Sequence, residues 1–117
     1  MFLAHYIIPL VIYIFYRKKE VLFLLFGNLI DLDHIFYRMI GKVDWFGSAC
    51  GKIGQQCSWN FYPLHNLYSL FFGFALFFMG LITYKKYEYS KYIMFLGLGI
   101  VLHLTLDLIH QFTGFAF

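Results

Sequence analysis

The sequence predicts an all-α integral membrane protein, a four-helix bundle with one long extracytoplasmic loop between the second and third spans. Composition is the first observation: 62% of the 117 residues are hydrophobic and 13% are charged, against about 45 to 50% and about 25% in soluble domains. The second is that the apolar residues form four runs separated by short polar stretches. Residues 1–117 are therefore expected to form one transmembrane domain.

The charge pattern indicates topology and not a nucleic-acid partner. The formal net charge is only +3, and the basic residues form short clusters between apolar runs. A nucleic-acid-binding chain would carry a basic stripe. We therefore expect no nucleic-acid binding.

The first apolar run, residues 2–16, predicts the first span. Only His5 and Pro9 interrupt it, and the basic residues 17–19 follow it. At 1.5 Å per residue the run covers about 22 Å, less than the bilayer hydrocarbon core of about 30 Å, so bilayer thinning or its aromatic ends must complete the crossing. A signal peptide is the competing interpretation, but its basic residues would precede the apolar run.

The second span is predicted at residues 21–37, and a long loop at residues 38–60. Loops of this length are usually functional or disordered. The loop contains Cys50 and Cys57, and an external location favours a disulfide that closes a short ring. A free pair or a single functional cysteine remains an alternative.

The third and fourth spans are predicted at residues 61–84 and 92–112, joined by a short basic loop. Glycines within them are expected to permit close helix packing; these are Gly73, Gly80, Gly97 and Gly99. Basic residues in short loops are retained on the cytoplasmic side. The two short basic loops therefore place both termini and the loop 38–60 outside.

One polar motif interrupts the second span: Asp31-Leu32-Asp33-His34. A charged side chain at bilayer depth costs at least about 2.5 to 3.5 kcal/mol on insertion scales, so intramembrane ionisable residues are candidates for function. With the predicted topology, eight such residues fall in one outer-leaflet layer. They are His5, Asp31, Asp33, His34, His65, His103, Asp107 and His110.

Helical spacing places several of these residues on common faces. His103, Asp107 and His110 are at i, i+4 and i+7, and Asp31 and His34 are at i and i+3. Asp33 either points to a neighbouring helix or holds the His34 ring from behind, as carboxylates commonly do for ligating imidazoles.

The mixture of imidazole and carboxylate groups in one layer predicts a site for a divalent metal. Any one of these residues taken singly is more often a hydrogen-bonded packing residue, but eight in one layer favour metal binding. The groups suit zinc first, with manganese or iron as alternatives, and are enough for one or two ions. The predicted ligands, drawn from all of the spans, are His5, Asp31, His34, His65, His103 and Asp107. Asp33 and His110 are the candidate catalytic acid–base residues.

Three motifs together resemble a known family. They are the Asp-x-Asp-His at 31–34, the stretch 57–66 (Cys-Ser-Trp-Asn-Phe-Tyr-Pro-Leu-His-Asn), and the stretch 97–107 with its His-x-x-x-Asp. The chain resembles a family of small uncharacterised bacterial membrane proteins, which looks like a compact relative of the LexA-regulated, inner-membrane metal-dependent hydrolases. It departs from that pattern at Tyr62, where a histidine is expected, and near Pro9, where a second histidine often follows the first.

The resemblance implies a metal-binding helical bundle in the bacterial inner membrane and a hydrolytic activity. A site in the outer leaflet points to a lipid or lipid-linked phosphodiester as substrate, and to membrane lipid as the partner. The alternative is a non-enzymatic metal or haem protein with a binding, transport or structural role. The carboxylates that alternate with the histidines argue against haem. A homo-oligomer is left open.

Overall fold

Helices make up the described part of the chain. The computed structural model describes residues 2–42 and 62–113. Four helical stretches follow one another, and these two ranges contain no β-strand. The prediction of an all-α fold is confirmed for these residues.

The first stretch matches its prediction, and the second does not form one regular helix. Helix α1 covers Phe2–Tyr16. The second stretch, called the broken segment (residues 19–39), alternates tight 3₁₀ turns with short α-helices. Its pieces are a 3₁₀ turn at Lys19–Leu22, α2 at Phe23–Phe26, a 3₁₀ turn at Gly27–Asp31 and α3 at Leu32–Met39.

A close backbone approach accompanies the break in the second stretch. At Gly27 the backbone lies directly against Gly99, so that a Cβ on Gly27 would come within 2.6 Å of the amide nitrogen of Ile100. Tight 3₁₀ winding in the middle of a helix is typical of strained or functional segments. The predicted second span, 21–37, is therefore helical throughout but irregular, because tertiary packing overrides a regular helical pattern there.

The third stretch begins later than predicted. Helix α4 covers Leu67–Thr83, not 61–84, because Asn66 caps it: the Asn66 side chain accepts a hydrogen bond from the Ser69 amide at 2.9 Å. Pro63 cannot donate a backbone hydrogen bond. The residues before the cap form a turn, so His65 precedes the helix and does not lie within it.

The fourth stretch is the longest. Helix α5 covers Ser90–Thr113 in 24 residues, slightly more than the predicted 92–112. Ser90 is fully buried, and its hydroxyl accepts a hydrogen bond from Thr83 at 2.8 Å. This contact joins the end of α4 to the start of α5.

Glycines bring α4 and α5 into close contact, as predicted. A Cβ on Gly97 would lie 2.6 Å from the carbonyl oxygen of Gly73, and one on Gly80 would lie 2.6 Å from the amide nitrogen of Met94. A Cβ on Gly99 would lie 2.5 Å from the carbonyl oxygen of Leu24. The expectation of close packing at all four predicted glycines is confirmed.

The surface of the helices is strongly apolar. Few large hydrophobic residues are buried, whereas α1 and α4 expose many, among them Ile14 at 54% and Phe71 at 66%. Within the described ranges one helical stretch, Ser90–His110, is long and apolar enough to cross a membrane. The apolar helices Ala4–Tyr16 and Leu67–Thr83 are shorter.

Most of the predicted loop 38–60 lies outside the described residues. Its first residues extend α3 to Met39, and the chain then turns at Gly41, whose φ of 74° favours glycine. Cys50 and Cys57, and with them the predicted disulfide, are outside the described residues.

Candidate metal centre

Seven of the eight predicted polar residues meet in one place, here called the His/Asp cluster. Helix α1 contributes His5, the broken segment contributes three residues, the turn before α4 contributes His65, and α5 contributes two. Helix α4 itself holds none of the eight, and the predicted third span, 61–84, contributes only through His65 in the turn before that helix. The cluster consists of His5, Asp31, Asp33, His34, His65, His103 and Asp107.

Four side chains form the centre of the cluster. The Nε2 atoms of His65 and His103 are 3.4 Å apart. Asp107 Oδ2 lies 3.1 Å from His65 Nε2 and 3.3 Å from His103 Nε2. Asp31 Oδ1 lies 3.6 Å from His65 Nε2 and 3.2 Å from His103 Nε2.

These five distances are compatible with side chains that share one metal ion. Ligand atoms about 2.0 Å from a tetrahedral ion are about 3.3 Å from one another, and the five distances run from 3.1 to 3.6 Å. Two imidazoles and two carboxylates are also a common ligand set for divalent ions. The cluster could therefore hold a metal ion between residues of the broken segment, the turn before α4 and α5.

Two further histidines flank this centre. His5 Nε2 lies 3.4 Å from Asp107 Oδ1, and His34 Nε2 lies 3.7 Å from Asp31 Oδ1. Both Nε2 atoms are buried and have no hydrogen-bond partner among the described residues. The potential ligand atoms form three overlapping groups, which are His5 with Asp31 and His103, Asp31 with His34 and His65, and His65 with His103 and Asp107.

Two side chains orient the central histidines from behind. Asn28 accepts a hydrogen bond from His103 Nδ1 at 2.9 Å when that nitrogen is protonated, and donates one to the His5 carbonyl at 3.0 Å. Asp33 Oδ2 accepts hydrogen bonds from the Leu64 amide at 2.9 Å and from His65 Nδ1 at 3.1 Å. With each Nδ1 engaged, each Nε2 faces the centre, as in other metal sites with supported histidines.

Asn28 was not among the site residues predicted from the sequence. It lies in an apolar run three residues before Asp31, and a buried amide in such a run normally needs a hydrogen-bond partner. That requirement is the only signal in the sequence that could have identified it.

Helical spacing left two orientations open for Asp33: toward a neighbouring helix or behind the His34 ring. In the structure its side chain points to the turn before α4, where it contacts Leu64 and His65. Its other oxygen, Oδ1, lies 3.7 Å from His34 Nε2. The His34 ring stacks on Tyr62, with centroids 3.7 Å apart and planes 12° apart. The position where the family resemblance implies a histidine therefore holds an aromatic ring that packs against a cluster residue.

The cluster is buried on its imidazole side and more accessible on its carboxylate side. The His65 and His103 side chains are 4% and 1% exposed, whereas those of Asp31 and Asp107 are 23% and 21% exposed. Closely spaced carboxylates in a buried site repel one another unless cations or protons neutralise them. A divalent ion would supply that neutralisation from the accessible side.

His110, the eighth predicted residue, lies three residues beyond Asp107 on α5 and is half-buried. The catalytic roles of Asp33 and His110 stay predictions. Asp33 has a positioning role in the structure through its contacts to Leu64 and His65.

Comparison of the chain with protein-family models, with curated proteins and with solved structures found no match. The resemblance noted from the three motifs therefore stays a prediction.

Proposed function

We propose that the chain is a membrane-embedded, metal-dependent hydrolase that acts on a lipid or lipid-linked phosphodiester at the outer leaflet. The observation that carries the proposal is the spacing of the Nε2 atoms of His65 and His103 and the carboxylate oxygens of Asp31 and Asp107, at 3.1 to 3.6 Å. At this spacing the four atoms would be neighbours in the coordination shell of one divalent ion.

The ligand set supports zinc first, with manganese or iron as alternatives. Imidazole suits zinc and iron, and carboxylates add harder ligands that also suit manganese. Haem is not favoured. A haem plane would pass close to the Nε2 atom of a ligating histidine, but oxygens of Asp31 and Asp107 lie 3.2 and 3.3 Å from that atom of His103.

The accessible carboxylate side supports a catalytic site over a closed structural one. Catalytic sites keep one coordination position open for water, whereas four protein ligands close a structural site. A catalytic ion here would therefore be held by three of the four central side chains, or would be five-coordinate with water as the fifth ligand. Asp31 and His34 line a cavity of about 690 Å³, so the cluster has an approach from outside. A bound divalent ion would activate water and polarise a phosphoryl oxygen.

Asp33 and His34 offer a route for a proton beside that approach. Asp33 Oδ1 is buried and has no hydrogen-bond partner among the described residues, and His34 Nε2 lies 3.7 Å from it. Direct proton transfer needs a separation of about 2.6 to 3.2 Å, so the two side chains would have to approach each other by about 0.5 Å to share a proton.

The exposed apolar surface supports a membrane location. Large exposed apolar surfaces in soluble monomers are rare, but α1 and α4 expose Ile14 and Phe71 at 54% and 66%, together with many other large apolar side chains. Short apolar helices cross a bilayer that thins locally. With the resemblance to inner-membrane hydrolases, this supports four spans in a bacterial inner membrane with both termini outside.

Metal analysis of purified protein tests the binding step. We expect about one or two divalent ions per chain, removed by chelator, with no haem absorption. Replacement of Asp31, His34, His103 or Asp107 by alanine should reduce the bound metal, whereas Lys42→Ala and Glu88→Ala should not. Unchanged metal content in both the Asp31 and Asp107 variants would make packing the better explanation of the cluster.

Phosphate or headgroup release from lipid substrates tests the catalytic step. We expect slow hydrolysis that chelator abolishes and zinc or manganese restores. A metal-loaded structure in which side chains alone complete the coordination, with no water or cavity beside the ion, would instead support a non-enzymatic metal-binding or transport protein.

Labelling of introduced cysteines tests the topology. In a background without Cys50 and Cys57, cysteines at positions 18 and 86 should be protected from an impermeant thiol reagent in intact cells, while one at position 42 should react. The reverse pattern would overturn the orientation.

A further inference from the structure

A long cavity runs beside the His/Asp cluster along the broken segment. Its volume is about 690 Å³, within the range of about 300 to 1,000 Å³ that is usual for ligand pockets. Tyr6 of α1 forms part of its wall. Most of the remaining wall is apolar: Leu22, Leu25, Phe26, Leu29, Leu32 and Ile35.

The wall changes in character from one end of the broken segment to the other. Residues 22–29 contribute apolar side chains and one amide, whereas the other end is mixed, with Asp31, His34 and Arg38 between the apolar residues Leu32 and Ile35. The ten residues from Leu22 to Asp31 make nine steps, which span at least about 14 Å at 1.5 Å per step, close to the depth of one leaflet's hydrocarbon at about 15 Å. The cavity therefore has the length and the polarity of a lipid with one chain and one headgroup.

Arg38 supplies a cation at the polar end. It follows His34 by four residues on α3, so the two side chains share a face of the helix. Its Nε atom is buried and has no hydrogen-bond partner among the described residues. A buried N–H donor requires an acceptor, and an anion such as phosphate is the strongest one for a guanidinium, whose planar donors match it in a bidentate manner.

We propose that this cavity binds one acyl chain of an anionic lipid and that Arg38 holds its phosphate next to the His/Asp cluster. The inference deepens the proposed function, and it rests on the membrane location and not on the identity of the metal. Arg38 acts here as a specificity residue, which distinguishes a phosphate-bearing lipid from a neutral one of the same chain length. Leu25 and its apolar neighbours hold the chain.

Binding of a fluorescent monoacyl phosphate to the purified full chain in detergent tests the inference. The measurement is fluorescence anisotropy in chelator, with competition by unlabelled monoacyl phosphate, by monoacylglycerol of equal chain length and by inorganic phosphate. The variants are Arg38→Gln at the polar end and Leu25→Trp, which fills the apolar part. Their matched controls are Lys42→Gln, an exposed residue three positions after the end of the broken segment, and Leu81→Trp on the exposed face of α4.

We expect Arg38→Gln to weaken binding of the monoacyl phosphate at least tenfold while monoacylglycerol competes as before. Leu25→Trp should weaken both lipids, and inorganic phosphate should compete poorly. Size-exclusion profiles and helical circular dichroism verify that each variant folds.

Equal binding by Arg38→Gln and Lys42→Gln, with Leu25→Trp equal to Leu81→Trp, would overturn the inference. Competition by inorganic phosphate as strong as that by the lipid would overturn it too, since it would indicate an anion site without a chain site. The lipid-binding assay contains no metal, so its outcome does not depend on the metal analysis. Failure to find metal in the native protein would count against the proposed function but not against lipid binding in the cavity.

Discussion

The α4–α5 pair has regular helical backbone, whereas the broken segment has irregular backbone. Helices α4 and α5 are regular, and glycine contacts such as Gly97 against Gly73 bring their backbones together. The broken segment alternates 3₁₀ and α winding, and it supplies three residues of the cluster and the supporting Asn28. Its polar residues are therefore presented by irregular backbone packed on a regular helix.

The difference indicates how a small helical protein can position a polar site. Regular helices joined through small residues pack closely and tolerate little movement. The 3₁₀ turn at Gly27–Asp31 lies directly on α5, which brings Asp31 to the face that carries His103 and Asp107. Helix α5 fixes His103 and Asp107, the broken segment adds Asp31, and the turn before α4 adds His65.

The largest expected effect is at the centre, where the two regions meet. A four-ligand structural zinc site contributes about 10 to 16 kcal/mol, so the loss of one ligand costs about 3 kcal/mol. His103→Ala on α5 and Asp31→Ala on the broken segment should each weaken metal binding about 100-fold, measured by competition with a chromogenic chelator. If only the α5 variant lost metal, the broken segment would have no ligand role.

A charged substitution on the outward face of α4 should show whether that face lies in lipid or in water. An arginine at the centre of a membrane span costs about 2.5 to 3.5 kcal/mol, whereas most surface substitutions in water cost less than about 0.5 kcal/mol. Phe74→Arg places a charge on this exposed face and should reduce membrane-integrated protein strongly, measured by carbonate extraction. Tyr87→Arg in the loop after α4 is the control; similar integration of both variants would contradict the span.

Added methyl groups at the two glycine contacts should separate stability from metal binding. Gly97→Ala places a Cβ 2.6 Å from the carbonyl oxygen of Gly73, and such overpacking costs about 1 to 3 kcal/mol. We expect a lower thermal midpoint with metal affinity retained in the folded fraction. Gly27→Ala displaces the broken segment from Gly99 and should reduce metal affinity as well. Identical behaviour of the two variants would mean that the two regions move as one.

The smallest effect is expected at the support behind His103. Loss of a residue that orients a metal ligand reduces affinity about 10- to 100-fold. Asn28→Leu removes the hydrogen bond to His103 Nδ1 and should therefore weaken metal binding while the helices remain folded. Competition with the same chelator measures the change, and Asn66→Ala, which removes the α4 cap, is the control for a general loss of stability. If Asn28→Leu bound metal with full affinity, Asn28 would have no role in positioning His103.

The sequence by itself determined the helical fold, the bounds of α1 and the residues of the cluster. These follow from local physics: long apolar runs favour helices, and buried ionisable groups are expensive unless they meet one another. Gly73 and Gly97 were identified as packing positions for the same kind of reason, since small residues let helices approach. The metal, the activity and the membrane topology stay predictions.

Only the tertiary structure decided how these residues combine. Periodicity treats each run as an isolated regular helix, so it did not indicate the break at Gly27, the late start of α4 at Leu67 or the turn that carries His65. The break appears where the backbone of Gly27 meets that of Gly99, and Asn28 gains its role through residues 23 and 75 positions away along the chain. Contacts between residues so distant in sequence leave no local pattern, and packing alone selects them.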